Sequence, residues 1–147
     1  DAQMVKTVAV PLDNPEQKTD VSTVSQPKIN AGLTVNDPLK LLDKWAYAWR
    51  RKDLGSYIGA YIDNYKGREN SHQNWVKKRQ SSINKSGEIK VTLSNIRIKT
   101  RTDTKVIIEV QQHFKSPSYE DRVVKRFNLK RIKGSWKISR ESTLAVL

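Results

Sequence analysis

The sequence predicts an α+β fold, with three helices followed by a four-stranded antiparallel meander. Three observations carry that expectation. Between residues 38 and 83, apolar side chains recur at spacings of three and four, the helical period. From Ile89 onward they alternate with polar residues, the strand period. Turn chemistry at Gly87, at Ser116-Pro117-Ser118 and at Lys133-Gly134 cuts the second region into strand-length pieces. Helices first and strands after is the order of an α+β domain rather than of alternating βαβ units.

Each element has its own signals. Asn36-Asp37-Pro38 supplies a capping residue followed by proline in the first helical turn. Leu41, Leu42, Trp45, Ala48 and Trp49 then fall on one face, and Arg51-Lys52 suits the C-terminal end of the helix dipole. Asp53 can cap a second helix over 54–62, in which Leu54, Tyr57, Ile58, Tyr61 and Tyr65 repeat at three and four. Gly55 and Gly59 weaken it and allow close packing on the first. Ser71 caps a third helix, with Trp75, Val76, Arg79 and Ile83 on one face and Ser86-Gly87 as its stop. Ile89, Val91 and Leu93 open the first strand, Asn95 shifts its phase as a bulge would, and Ile96 and Ile98 resume the inward face. Val106, Ile108, Val110, Gln112 and Phe114 form one face of the second strand, and Val123, Lys125, Phe127 and Leu129 one face of the third. Lys133-Gly134 turns the chain into a fourth strand opened by Trp136-Lys137-Ile138.

Charge is unevenly placed. Residues 1–36 hold three basic and four acidic side chains, net −1, whereas residues 37–147 hold 25 basic and 11 acidic, net +14. The first segment has no Trp, Tyr or Phe, carries Pro11, Pro15 and Pro27, and shows no amphipathic period, so it reads as a flexible linker ahead of a domain at 37–147. The domain's charge favours anionic partners: nucleic acid, acidic lipid or an anionic cell-wall polymer. The chain has no cysteine and only two histidines, His72 and His113, which excludes a disulfide framework and thiolate metal sites and argues against a histidine cluster. No cofactor is expected. No transmembrane run or signal peptide is visible, and the start at Asp1 leaves room for a signal or anchor ahead of it.

The runs WAYAWRRKDLGSYIGAYIDNY, NWVKKRQ, IKVTLSNIRI and VQQHFKSPSYEDRVVKRFNLKRIKGSWKISRE together cover most of residues 38–142. They resemble a bacterial branch of the nuclear transport factor 2-like superfamily. More closely, they are similar to the accessory domain found beside L,D-transpeptidase-type catalytic domains of envelope proteins. The resemblance implies a cone: a curved sheet wrapped around the helices, which pack in its concave face, with one open pocket. It draws attention to Trp45, Trp49, Asp53, Tyr57, Tyr61, Trp75, Arg79, Gln112, Phe114, Ser116, Tyr119, Asp121, Lys125, Trp136 and Glu141. Phe114 stands where the branch usually has tyrosine, so a hydroxyl role there is lost. No L,D-transpeptidase motif is present, and without cysteine this chain has no nucleophile for that reaction.

Proton transfer needs a carboxylate or imidazole near a reacting carbon and a donor for the developing oxyanion. By alternation His113 points away from the apolar face that carries Val110 and Phe114, which leaves no recognisable acid–base pair and argues against an enzyme. Gln112 and Lys125 sit on otherwise apolar faces. Lys125 therefore needs a carboxylate, with Glu141 and Asp121 as candidates. Two readings stay open: a structural polar network, or a pocket that hydrogen-bonds a sugar or peptide fragment. The pocket candidates are Tyr61, Tyr65, Gln112, Tyr119, Lys125 and Glu141, and Arg79 is expected to pair with Asp53 or Asp63 if it is structural. Arg97, Lys99, Arg101, Arg126, Lys130 and Lys137 are expected on the outer sheet face as a surface for an anionic partner, where few apolar residues favour a tight homodimer. Neither exposed aromatics nor a nucleic-acid motif accompany them, so specific nucleic-acid recognition is not expected. The resulting expectation is a non-catalytic binding or positioning module of the bacterial envelope, exported and periplasmic or membrane-tethered, monomeric or weakly dimeric. Its partner would be an anionic cell-wall polymer or an envelope protein. A periplasmic assembly domain of a secretion-type complex and a small pocket enzyme are the alternatives.

Overall fold

The computed structural model of the chain describes residues 37–147. The expected linker, 1–36, lies outside the described residues. The order is α1 (Pro38–Arg50), α2 (Leu54–Gly59), α3 (His72–Lys85), β1 (Lys90–Arg101), β2 (Lys105–Ser116), β3 (Tyr119–Ile132) and β4 (Ser135–Val146). The strands form one antiparallel sheet in the order β1-β2-β3-β4.

The caps form as their residue types dictate. Asp37, Asp53 and Ser71 each accept a backbone N–H of the first turn, from Leu39, Ser56 and Asn74. α1 ends in a Schellman arrangement, with Lys52 N–H on Trp49 O and Asp53 N–H on Ala48 O. That geometry forces Lys52 to φ 58°, where glycine is the usual residue. α2 stops at Gly59, three residues short of the expected end. Residues 60–62 leave the helix to pair with β4: Ile138 N–H meets Ala60 O at 2.8 Å, and Ile62 N–H meets Ile138 O at 3.0 Å. A short parallel bridge between Tyr61 and Ile138 thus covers part of the β4 edge.

Four register shifts bend the sheet, two between β1 and β2 and two between β3 and β4. Asn95, at φ 50°, marks the expected bulge in β1. The Lys133-Gly134 turn has φ 51° and 81°, positive at both positions as a type I′ hairpin requires. The concave face supplies Val91, Val106, Ile108, Val110, Phe127, Leu129 and Ile138 to the core, and the helices supply Leu42, Trp45, Trp49, Tyr57, Trp75 and Ile83. Burying each large apolar side chain contributes about 1.5–3 kcal/mol. Ile96 and Ile98, expected against the helices, are each 42% exposed. Ile98 keeps the inner register opposite Ile108, but this part of the edge strand is left without cover.

Candidate functional site

The site grows from the tyrosine series and the two inner polar positions. Tyr57, Tyr61 and Tyr65 are all buried, and adjacent rings lie 5.5 and 4.7 Å apart. Trp75 from α3 packs edge-on to Tyr61 and Tyr65 at 4.7 and 4.9 Å. β3 places Lys125 on the concave face, two residues from Phe127. Glu141 arrives there because of a bulge. From Trp136 and Ile138, strict alternation would put Arg140 inside. The shift between Asn128 and Leu129 adds Ser139 to β4, so Glu141 pairs with Phe127 and turns inward.

These groups close a network. Trp45 Nε1–H donates to Tyr61 Oη at 2.9 Å, and Tyr61 Oη lies 3.2 Å from Tyr57 Oη. Tyr61 Oη donates to Glu141 Oε1 at 2.6 Å, which requires Tyr57 to donate to Tyr61, since that hydroxyl has one proton. Lys125 Nζ bonds the other carboxylate oxygen, Oε2, and sits over the Trp45 ring at 5.9 Å. Burial alone would raise the Glu141 pKa, but the Lys125 ammonium, the bonds from Lys125 and Tyr61, and the nearby Arg79 charge hold it below the ordinary range. Tyr61 is pushed far up by burial and by the Glu141 charge, and the same causes take Tyr57 and Tyr65 to about 12.

Beside this network opens a cavity of about 1560 Å³, bounded by α2, α3 and the concave ends of β2, β3 and β4. Its wall includes Tyr57, Tyr65, Gln112, Tyr119, Lys125 and Glu141. Tyr61 does not line it: its ring and hydroxyl are enclosed in the network. Tyr119 stands at the rim, 59% exposed, and donates to Asp121 Oδ2 at 3.0 Å. Gln112 is 4% exposed and its Oε1 accepts no hydrogen bond; Asp121 Oδ1 and Arg79 Nε are likewise buried and unpartnered. Arg79 pairs with neither Asp53 nor Asp63. Its guanidinium lies over the rings of Trp49 and Tyr57, at 5.7 and 5.4 Å. A cation on this aromatic face was legible only as an amphipathic-helix arginine, because the rings beneath it come from α1 and α2.

The outer face differs from the expectation in detail. Arg97 and Arg126 both lie opposite Glu109, and Arg126 donates to its Oε2 through Nε and Nη2 at 3.1 and 2.7 Å. Lys99 sits at the second β1 shift, and the same shift puts Arg101 opposite Val106, in the inner register rather than on the outer face. Lys130 faces outward opposite Lys137 and Lys105, the last not anticipated. Lys137 Nζ bonds Gly59 O at 2.6 Å. His113 is a surface residue 2.6 Å from Glu120. Among the described residues no group of three or more His, Cys, Asp or Glu could hold a metal ion, and no helix is long and apolar enough to cross a membrane.

Helices packed in a curved, unclosed antiparallel sheet beside an open cavity define a nuclear transport factor 2-like (NTF2-like) domain. Residues 38–142 match the family described as the Cds6 C-terminal NTF2-like domain, and the chain belongs to that family. No curated protein sequence matches it. Among solved structures, Bd1075 of Bdellovibrio bacteriovorus aligns at TM-score 0.67 and 23% identity, over 74% of this chain and 39% of that one. The helical cell shape determining protein Pgp2 of Campylobacter jejuni aligns at 0.62 and 19%, over 71% and 38%. An NTF2-like protein of unknown function from Shewanella oneidensis aligns at 0.59 and 19%, over 71% and 93%. These likenesses show the fold. The chain spans about two fifths of the Bdellovibrio and Campylobacter proteins.

Proposed function

We propose that this domain is a non-catalytic binding module of the bacterial cell envelope, which holds a polar fragment of peptidoglycan in its cavity for processing by a catalytic domain on the same or another chain. One observation carries the reading: a wide cavity whose wall contains buried polar atoms, on Gln112, Asp121 and Arg79, with no partner inside the protein. Each such group costs about 1–3 kcal/mol unless something bonds it. A sugar or peptide offers the required donors and acceptors. The envelope assignment is supported by the likeness to Pgp2, a helical cell shape determining protein.

The wall is poorly equipped for catalysis. Neither histidine lines the cavity, and Glu141 has both oxygens engaged and its basicity lowered by Lys125. A base needs a free oxygen and a pKa nearer neutrality. Relatives of the same fold include a putative dehydratase and a putative aromatic ring hydroxylase, so the fold itself does not decide the matter.

Co-sedimentation with purified peptidoglycan sacculi tests the proposal. Gln112→Leu should weaken binding about tenfold, as expected for a lost buried hydrogen bond. Charge reversal at Arg97 and Lys130 should cost less and should lose its effect in high salt. Unchanged binding in the Gln112 variant, with full loss in the charge reversals, would move the site to the outer face.

A further inference from the structure

The cavity wall has two parts of opposite character, and we infer that one of them receives a short zwitterionic peptide: ammonium at Asp121, amide N–H at Gln112 and carboxylate at Arg79. This rests on the cavity being a ligand site, as proposed above, and names the chemistry of what enters it.

The part around Glu141 has its charges paired within the protein. Its carboxylate accepts from Tyr61 and Lys125, Tyr61 accepts from Trp45 and Tyr57, and no atom of Glu141, Lys125 or Tyr61 is left buried without a partner. A charged ligand finds no unpaired charge there, and the N–H groups of Lys125 beyond the one that bonds Glu141 offer it donors alone. The other part holds three orphaned groups, two of them neighbours by register and the third, Arg79, brought beside them by ring stacking. Gln112 and Phe114 are alternate residues on the concave face of β2, and Phe114 pairs with Asp121 on β3. Gln112 and Asp121 are therefore diagonal neighbours, on the order of 7–8 Å apart. Trp49 stacks on Phe114 with ring centroids 5.0 Å apart, and the Arg79 guanidinium lies over Trp49. Arg79, Phe114, Gln112 and Asp121 thus border one region of the wall.

The unsatisfied chemistry is mixed in sign. Gln112 Oε1 and Asp121 Oδ1 want donors, whereas Arg79 Nε is a donor without an acceptor. Arg79 faces no carboxylate within salt-bridge distance among the described residues, and its fork is suited to receive one from outside. A purely anionic ligand would leave Asp121 repelled and Gln112 unbonded; a purely cationic one would face Arg79. A neutral sugar could bond all three but would neutralise neither charge. A free-ended short peptide supplies ammonium, amide N–H and carboxylate in sequence.

The test is a titration of the chain with dialanine and its blocked forms, followed by the Gln112 side-chain amide and Trp49 indole resonances. Free dialanine should shift both signals. N-acetylation and C-amidation should each weaken binding about tenfold, the loss of one charge-assisted bond. Asp121→Asn should remove the discrimination against the acetylated form, and Arg79→Gln that against the amidated form. If either variant fails to fold, the comparison of blocked and free ligands on the unaltered chain decides alone. Equal binding of doubly blocked and free dialanine, or shifts centred on Lys125 and Glu141, overturns the inference and leaves the proposed function standing. If neither the peptides nor soluble peptidoglycan fragments bind, both fall.

Discussion

Glu141 decides how the concave face can hold two charges in an apolar neighbourhood. Removing one member of such a pair strands the other, which costs more than the pair itself contributes. Lys125→Met should therefore destabilise the fold by about 1–3 kcal/mol in urea unfolding, and should raise the Glu141 pKa as seen by carboxyl-carbon NMR. Replacing both, as Lys125→Met with Glu141→Leu, should recover part of the loss. The pH dependence follows from the direction of each shift. Glu141 is lowered in the folded protein, so its contribution is present above the ordinary carboxylate range, around pH 4.5, and is lost as pH falls through the folded value. Tyr57 and Tyr65 are raised to about 12, so their contribution is intact below pH 10 and disappears as pH climbs from there through about 12. Unfolding free energy should accordingly fall at both extremes, through Glu141 on the acid side and through the tyrosines on the alkaline side. An acid limb unchanged in Glu141→Gln would show that another carboxylate governs it.

The elements show which signals act locally and which do not. Asp37, Asp53 and Ser71 were legible as caps because a cap bonds within three residues of itself. The Asn95 bulge and the Lys133-Gly134 turn were legible for the same reason: each leaves a phase break or a turn dipeptide in the sequence. The early end of α2 was not, because residues 60–62 exchange helical bonds for pairing with β4, far away in sequence. Nor was the shift that carries Arg101 off the outer face, or the extra residue at Ser139 that turns Glu141 inward. Both depend on register against a neighbouring strand. Lys125 and Gln112 are legible as candidates by their misfit on apolar faces, but only the assembled wall separates the lysine, paired with Glu141, from the glutamine, whose Oε1 has no partner. One local defect makes a clean test of element stability. Lys52 holds a left-handed conformation at the end of α1 that glycine adopts without strain. Lys52→Gly should stabilise the domain by about 1 kcal/mol in denaturant unfolding; a loss of stability would mean that the lysine stem contributes more through packing than its backbone costs.

At the scale of the whole molecule, the aromatic cluster of α1 and α2 divides its duties. Trp45 and Trp49 are core residues, buried to 0% and 7% exposure, yet each also touches the cavity chemistry: Trp45 through its indole N–H on Tyr61, Trp49 as the platform under Arg79. The sheet bends around them and leaves the cavity open at the side of α3, so the cavity is a consequence of the cone rather than an addition to it. The strong positive charge lies on both sides of the sheet, and on the outer side Glu109 offsets part of it. In the function proposed above, that charge attracts an anionic polymer over a Debye length and the cavity selects among its fragments. A crystal structure of the chain with a soluble disaccharide–peptide fragment of peptidoglycan tests this division most directly. The fragment should lie in the cavity, bonded to Gln112 and to Asp121 or Arg79, with the Lys125–Glu141 pair intact. A fragment bound on the outer face beside Arg97 and Lys130, or a Glu141 released from Lys125 and placed against a reacting carbon, would contradict it.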